Sequence, residues 1–168
     1  MKIPILHLEE GDHHLEELIK KGSLHFYHDE VYQDEIRIKV DLNKFGKNIS
    51  CRAEISTRIH LACDRCLAEF DRDLKEKFEM LFYIGQKEIG IDEENVAMIP
   101  PELKEIDLTP YIQETLILAL PMKFLCREDC KGICAGCGAD LNKESCRCSA
   151  ESYDSRWEKL KGLKNKNK

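Results

Sequence analysis

Six cysteines lie between Cys126 and Cys148 in the order Cys126-x3-Cys130-x3-Cys134-x2-Cys137-x8-Cys146-x-Cys148. Two more, Cys63 and Cys66, make a second C-x-x-C within Leu61-Ala-Cys-Asp-Arg-Cys-Leu67, and Cys51 stands alone among the nine cysteines of this 168-residue chain. No other segment ties residue type and spacing so narrowly to one chemistry. Eight clustered thiols divide evenly into two four-thiolate sites.

Disulfides require an oxidising compartment. A secretory leader shows a charged start, a continuous apolar run and a small-residue cleavage site. The opening Met1-Lys-Ile-Pro-Ile-Leu-His-Leu-Glu-Glu10 has instead a broken apolar stretch and an acidic pair. No run reaches the roughly 18 consecutive apolar residues of a membrane span. The expectation is a cytoplasmic protein with reduced thiols. Thiolates two residues apart then match tetrahedral zinc, because both sulfurs turn onto one ion at about 2.3 Å. In Cys134-Ala-Gly-Cys137-Gly138 the last glycine supplies the positive φ with which a knuckle closes on its metal.

One expected site is Cys134, Cys137, Cys146 and Cys148. The second is Cys63, Cys66, Cys126 and Cys130, giving one or two zinc ions per chain. Iron–sulfur or redox use is the competing chemistry. A thioredoxin-like pair wants a βαβ context, whereas Cys134 is flanked by Gly132, Gly136 and Gly138. For Cys63 and Cys66 the competing reading is a reduced pair in the core, which is also where Cys51 is expected.

Strand signals dominate the rest. Ile36, Ile38, Val40 and Leu42 alternate with polar residues; after the turn Asn43–Asn48 the pattern resumes with Ala53, Ile55, Ile59 and Leu61, which predicts an antiparallel hairpin. Cys51 and Cys63 fall in phase with the inward set, and His60 faces outward. From Phe70 to Ile84 a period of two competes with a helical period, and a third strand of a meander is expected. Leu15 to Lys21 reads as a short helix stopped by Gly22. Gly85 to Asp107 reads as a long acidic surface loop. Thr109 as N-cap and Pro110 at the first helical position start a core helix that Pro121 stops, with apolar residues on more than one face.

The formal charge of −6 hides an asymmetry: Arg156 to Lys168 carries six basic residues against Glu158, a net +5, which leaves −11 before it. That tail is of the kind that contacts phosphates or is simply a solvated end. The candidate phosphate contacts are Lys159, Lys161 and Lys164, with Arg65, Arg127 and Arg147 near the thiols. There is no phosphate-cradling glycine loop, nucleophile elbow or His-Glu-x-x-His helix. A catalytic zinc needs an open position, whereas this ligand supply is all thiolate. The chain is expected to be a non-enzyme without a small-molecule substrate.

Three blocks taken together resemble the bacterial YceD family, the large ribosomal RNA subunit accumulation proteins. They are Cys63-Asp-Arg-Cys-Leu67, Ile106-Asp-Leu-Thr-Pro-Tyr through Pro121, and Cys126 through Cys134-Ala-Gly-Cys-Gly-Ala-Asp-Leu-Asn142 to Cys146-Arg-Cys148. The resemblance covers about residues 35 to 163 and includes Asp154-Ser-Arg-Trp-Glu-Lys-Leu160, similar to the family's closing Asp-Pro-Arg-x-x-x-Leu with serine for proline. It implies a part in the synthesis, processing or stability of large-subunit ribosomal RNA, without an established enzymatic activity. Arg65 matches the family motif position for position, and is expected either to hold a phosphate or to brace its turn.

The fold expected is α+β. A β-rich domain spans 1–121 with its core helix at 110–120, a zinc-binding module with a short helix carrying Trp157, Leu160 and Leu163 spans 122–163, and a basic disordered tail spans 164–168. The expected function is a non-catalytic, zinc-stabilised factor of ribosomal large-subunit biogenesis that binds ribosomal RNA or a ribosomal protein. The competing function is an interaction adaptor whose acidic surface holds a basic ribosomal protein.

Overall fold

The computed structural model describes residues 1–25, 27–85 and 95–148. The acidic run Asp92–Glu94, the expected C-terminal turns around Trp157 and the basic tail lie outside the described residues. The strands are β1 (Lys2–Pro4), β2 (Gly11–Ile19), β3 (Ile36–Phe45), β4 (Asn48–Ala62), β5 (Glu69–Ile84), β6 (Val96–Ile99) and β7 (Glu105–Asp107), followed by helix α1 (Thr109–Ala119). Five strands form one sheet in the order β2-β3-β4-β5-β6, and β1 pairs with β7 in a small second sheet. The architecture is α+β.

The expected hairpin is present and in register. Ile38 faces Ile55, Val40 faces Ala53 and Leu42 faces Cys51, so alternating apolar residues of both strands reach one side. Ile38, Val40, Ala53 and Ile59 are fully buried there, and Cys51 joins them as a core residue. Burying one such aliphatic side chain contributes about 1.5–3 kcal/mol, which makes a one-residue slip of the register prohibitive. The third strand also forms: β5 pairs with β4 from Asn48↔Tyr83 to Ala62↔Glu69 without a bulge.

β3 accompanies β4 only as far as Ser56. The last six residues of β4, Thr57–Ala62, pair with β5 alone, an arm of about 20 Å at the usual rise of a strand. Its tip is the turn that carries Cys63 and Cys66.

Several expectations are corrected. Leu15 to Lys21 is not a helix: Gly11–Ile19 runs as an edge strand along β3, from Gly11↔Lys44 to Ile19↔Ile36. Leu15, Leu18 and Ile19 have helical spacing, but extended pairing over nine residues outweighs so short a periodicity. Glu17 lies opposite Ile38 on the inward side and is exposed, a charge that discourages a further strand from adding to this edge. The stretch from Gly85 to Asp107 is not one loop, since it contains β6 and β7. β6 pairs parallel with β5, so the sheet is mixed rather than wholly antiparallel.

Helix α1 starts one residue earlier than expected, with Asp107 rather than Thr109 as the capping side chain: its carboxylate accepts the Thr109 N–H at 2.9 Å. Leu120 is extended before Pro121, which ends the helix. The helix is buried on one face through Ile112 and Leu116, while Ile117 and Leu118 face solvent. Tyr111 stacks on Phe78 and meets Phe82 edge-on, seating α1 on β5. The buried Tyr32 hydroxyl donates to the Leu116 carbonyl at 2.6 Å, satisfying a group near the helix end.

The donations from Thr109 hold the Asp107 carboxyl below the usual carboxylate range. A depressed folded value means stability that is present above the unfolded pKa, about 3.9, and lost as pH falls through the folded value. Asp107→Ala should therefore cost about 1 kcal/mol near neutral pH. In urea melts at a series of pH values, its deficit relative to the unsubstituted chain should shrink below about pH 4.

Candidate metal centre

The turn after β4 is built by its backbone. Cys63 N–H donates to the Ala68 carbonyl at 2.9 Å, and Leu67 N–H returns to the Cys63 carbonyl at 2.8 Å. Leu67 has φ 59°, a left-handed conformation rare for a leucine. The same turn recruits the segment after α1: Asp64 N–H donates to the Phe124 carbonyl at 2.8 Å, and Phe124 N–H donates to the Asp64 carboxylate at 2.7 Å. This seam lays Cys126 and Cys130 against Cys63 and Cys66.

A second turn has the same plan. Gly138 N–H donates to the Cys134 carbonyl at 2.9 Å, Cys134 N–H donates to the Ala139 carbonyl at 2.8 Å, and Ile133 bridges to Asp140. Gly138 takes the left-handed position with φ 72°. The chain then returns through Cys146 and Cys148.

The result is two quartets, Cys63, Cys66, Cys126 and Cys130, and Cys134, Cys137, Cys146 and Cys148, each with its sulfurs within 4.8 Å of one another. Measured separations are 3.8 Å for Cys63–Cys130 and 3.7 Å for Cys66–Cys126 in the first, and 3.4, 3.7 and 3.9 Å for Cys134–Cys146, Cys134–Cys148 and Cys137–Cys146 in the second. A disulfide would bring two sulfurs to about 2.05 Å. A tetrahedron of sulfurs about 2.3 Å from a central ion has edges of about 3.8 Å. Both quartets have that dimension and could hold a metal ion. A four-iron cluster distributes its thiolates over separate irons and needs them farther apart.

The electrostatics agree with a cation site. Backbone N–H groups, first that of Cys126, bring the Cys63 thiol down to about 6, whereas burial pushes Cys126 up to about 12. In the other quartet the N–H groups of Ala139 and Arg147 bring Cys137 down to about 6, and the Cys146 thiol chiefly pushes Cys148 up to about 12. One sulfur of each set is drawn toward its ionised form by backbone N–H groups, while another is held in its thiol form by burial or by its bond to a neighbouring sulfur. A central cation would favour the charged form of every sulfur and so admit four thiolates.

The quartets differ in exposure. Cys63 and Cys130 are buried, with Cys66 and Cys126 half-buried, while Cys137, Cys146 and Cys148 are exposed. Asn142 joins the two. Its Nδ2 donates to Cys130 Sγ at 3.5 Å and to Asp140 at 2.8 Å, and its Oδ1 accepts Lys131 N–H and Arg127 Nη2, each at 2.8 Å. Sequence reasoning passed over this pair, although Asp140-Leu-Asn142 between the second and third thiols of a site is a turn-forming signal.

Of the residues expected near phosphate, Arg65 is exposed and its Nη1 donates to the Cys130 carbonyl at 2.7 Å, bracing the first quartet. Arg127 is held by Asn142 and Asp129, and Arg147 by Glu144. Lys159, Lys161 and Lys164 lie outside the described residues. His60 stands between the carboxylates of Asp34 and Asp71, at 3.3 and 2.6 Å, and in neither quartet.

Residues 51–164 match the family described as "Large ribosomal RNA subunit accumulation protein YceD", a span that contains both quartets. The chain belongs to the YceD family. A chloroplast relative from Arabidopsis thaliana, named as a large ribosomal RNA subunit accumulation protein YCED homolog, is 29% identical across 77% of this chain and 48% of its own length. A Zea mays protein of the same name is 37% identical over 34% of this chain and 20% of its own length. An uncharacterized protein of Mycobacterium tuberculosis is 32% identical over 58% of this chain and 47% of its own length. The chain thus spans half or less of the length of these relatives. No solved structure matches it. No described helix of this YceD-family chain is long and apolar enough to cross a membrane.

Gly132 is where the two knuckles meet. It has φ 77°, and a Cβ there would stand 2.8 Å from the Arg65 carbonyl oxygen, which also accepts Ile133 N–H at 2.9 Å. Gly132→Ala should cost about 1–3 kcal/mol through the left-handed backbone and the clash together. Hydrogen exchange should show the Ile133 amide losing protection first.

Proposed function

We propose that this chain is a non-catalytic factor of ribosomal large-subunit biogenesis. It supports the synthesis, processing or stability of large-subunit ribosomal RNA by binding that RNA or a ribosomal protein through a zinc-stabilised module. The observation that carries the reading is the pair of closed, all-thiolate quartets of tetrahedral size inside the span matching a large-subunit RNA accumulation family. Four sulfurs on one ion leave no open position for water or substrate, so each zinc holds structure rather than performs chemistry. Zinc suits the sites because it has no redox change and accepts tetrahedral thiolate ligation without preference from its own electrons.

The first quartet would lock the β4–β5 arm to the segment after α1, and the second would fold the loop from Cys134 to Cys148. A segment of this size has too little core to fold without its metal. Elemental analysis should find two zinc ions per chain, and Cys63→Ser should lower the count to one. Iron in their place, or a count unchanged by the substitution, contradicts the reading. A strong chelator should remove hydrogen-exchange protection from residues 126–148 while the sheet keeps its own.

Phosphate contact in this reading falls to the basic tail, with net +5 from Arg156 onward against −11 before it. Each neutralised phosphate of single-stranded RNA contributes a slope of roughly −0.7 in log affinity against log salt. Three or four tail contacts through residues such as Lys161 and Lys164 predict about −2 to −3. Truncation after Leu160 should flatten the slope and leave zinc content unchanged. Binding to purified ribosomal RNA that is indifferent to both salt and truncation contradicts a tail contact.

One observation favours the adaptor reading. Arg65, Arg127 and Arg147, the arginines of the thiol segments, each bond to a group of the protein itself, and the body before Arg156 is acidic. A body with net charge −11 before Arg156 suits a basic ribosomal protein better than a phosphate backbone. Binding to such a protein that survives removal of the tail would select this alternative.

A further inference from the structure

The two quartets offer their sulfurs to solvent very differently. Cys63 and Cys130 are 0% and 2% exposed, and Cys66 and Cys126 are half-buried. Cys137, Cys146 and Cys148 are exposed, with Cys134 half-buried. At the first quartet the Asn142 amide donates to the Cys130 sulfur at 3.5 Å, and the Arg65 guanidinium donates to the Cys130 carbonyl. At the second, Gly136 lies against the sulfurs without a side chain to cover them: a Cβ there would stand 2.7 Å from Cys148 Sγ and 3.9 Å from Cys134 Sγ.

Susceptibility of a cysteine to a water-borne oxidant follows its thiolate character and its exposure together. Filled with zinc, both quartets are all-thiolate, so exposure is what separates them. Within the exposed quartet a second sulfur is at hand to complete a disulfide. Cys146 stands 3.4 Å from Cys134, closer than the 3.9 Å to Cys137.

We propose that the second quartet is a peroxide-sensitive switch, which gives up its zinc on oxidation while the first quartet keeps its own. The Cys146 thiolate attacks one peroxide oxygen; a sulfur–oxygen bond forms, the oxygen–oxygen bond breaks and hydroxide leaves. The Cys134 thiolate then attacks the sulfenic sulfur, forming the disulfide and expelling a second hydroxide. Two electrons pass from the pair of sulfurs to the peroxide, and two protons from solvent complete two waters. With two of its four ligands gone, the site no longer holds its ion. The loop from Cys134 to Cys148 loses what folds it, while the β4–β5 arm stays locked to the segment after α1. Reduction in the presence of zinc reverses the change. The inference rests on the zinc-stabilised module proposed above and adds its control.

The test treats the full zinc-loaded chain with hydrogen peroxide, reads released zinc with a metal-sensitive dye, and maps thiols by alkylation and mass spectrometry. One zinc per chain should leave roughly tenfold faster than the other, or more. When it has left, Cys134 and Cys146 should be joined, and Cys63, Cys66, Cys126 and Cys130 should still take the alkylating reagent once the chain is unfolded. A thiol reductant with added zinc should restore two ions per chain. Cys134→Ser, which keeps the four thiols of the first quartet, should hold one ion that leaves as slowly as the second ion of the unsubstituted chain. Oxidation that begins among Cys63, Cys66, Cys126 and Cys130, or a loss that reduction does not reverse, overturns the switch. Two ions that leave together overturn it as well, and the zinc reading stands; freshly reduced chain that holds no zinc overturns both.

Discussion

Four sulfurs held within 4.8 Å cannot all carry charge unless a cation sits among them, and the first quartet draws two sulfurs from the tip of the β4–β5 arm and two from the segment after α1. The path from sheet to module runs through that constraint. The arm leaves the shelter of β3 at Ser56 and continues as a two-stranded ribbon, which is weak alone. Its far end is fixed by the thiols, by the reciprocal bonds between Asp64 and Phe124, and by the Arg65 brace onto Cys130.

The two quartets divide the work. The buried set is part of the body, because Cys63 continues the inward phase of β4 that begins with Ile49 and Cys51. The exposed set organises a loop whose buried apolar residue is Ala139, with Leu141 half-buried. Asn142 sits between them, donating to a sulfur of one while belonging to the loop of the other. A change in either quartet is therefore felt through one side chain and one glycine, Gly132.

Leu67 and Gly138 present the same backbone problem solved twice within one chain. Glycine takes the left-handed position in one turn; in the other, leucine takes it and is exposed.

Much was legible in the residues alone. The alternation from Ile36 to Leu61 specified the β3–β4 hairpin and its register, because a slip of one would move every apolar side chain to the wrong face. Cysteine spacing specified the supply of ligands and the pairing within each C-x-x-C, whereas the seam between Asp64 and Phe124 decided that Cys63 and Cys66 share a quartet with Cys126 and Cys130. Local pattern failed where partners are distant. Leu15, Leu18 and Ile19 carry helical spacing, yet β3 holds them extended. Val96–Ile99 finds a parallel partner in β5 that its own sequence does not announce. Ile117 and Leu118 are apolar but lie on the side of α1 turned away from β5. The sequence by itself determined what is set by neighbours along the chain: strand phase, turn chemistry and ligand supply. Only the tertiary structure decided which strands lie side by side, which arginines are already engaged, and that one leucine is left strained and exposed, because those depend on contacts between residues far apart in sequence.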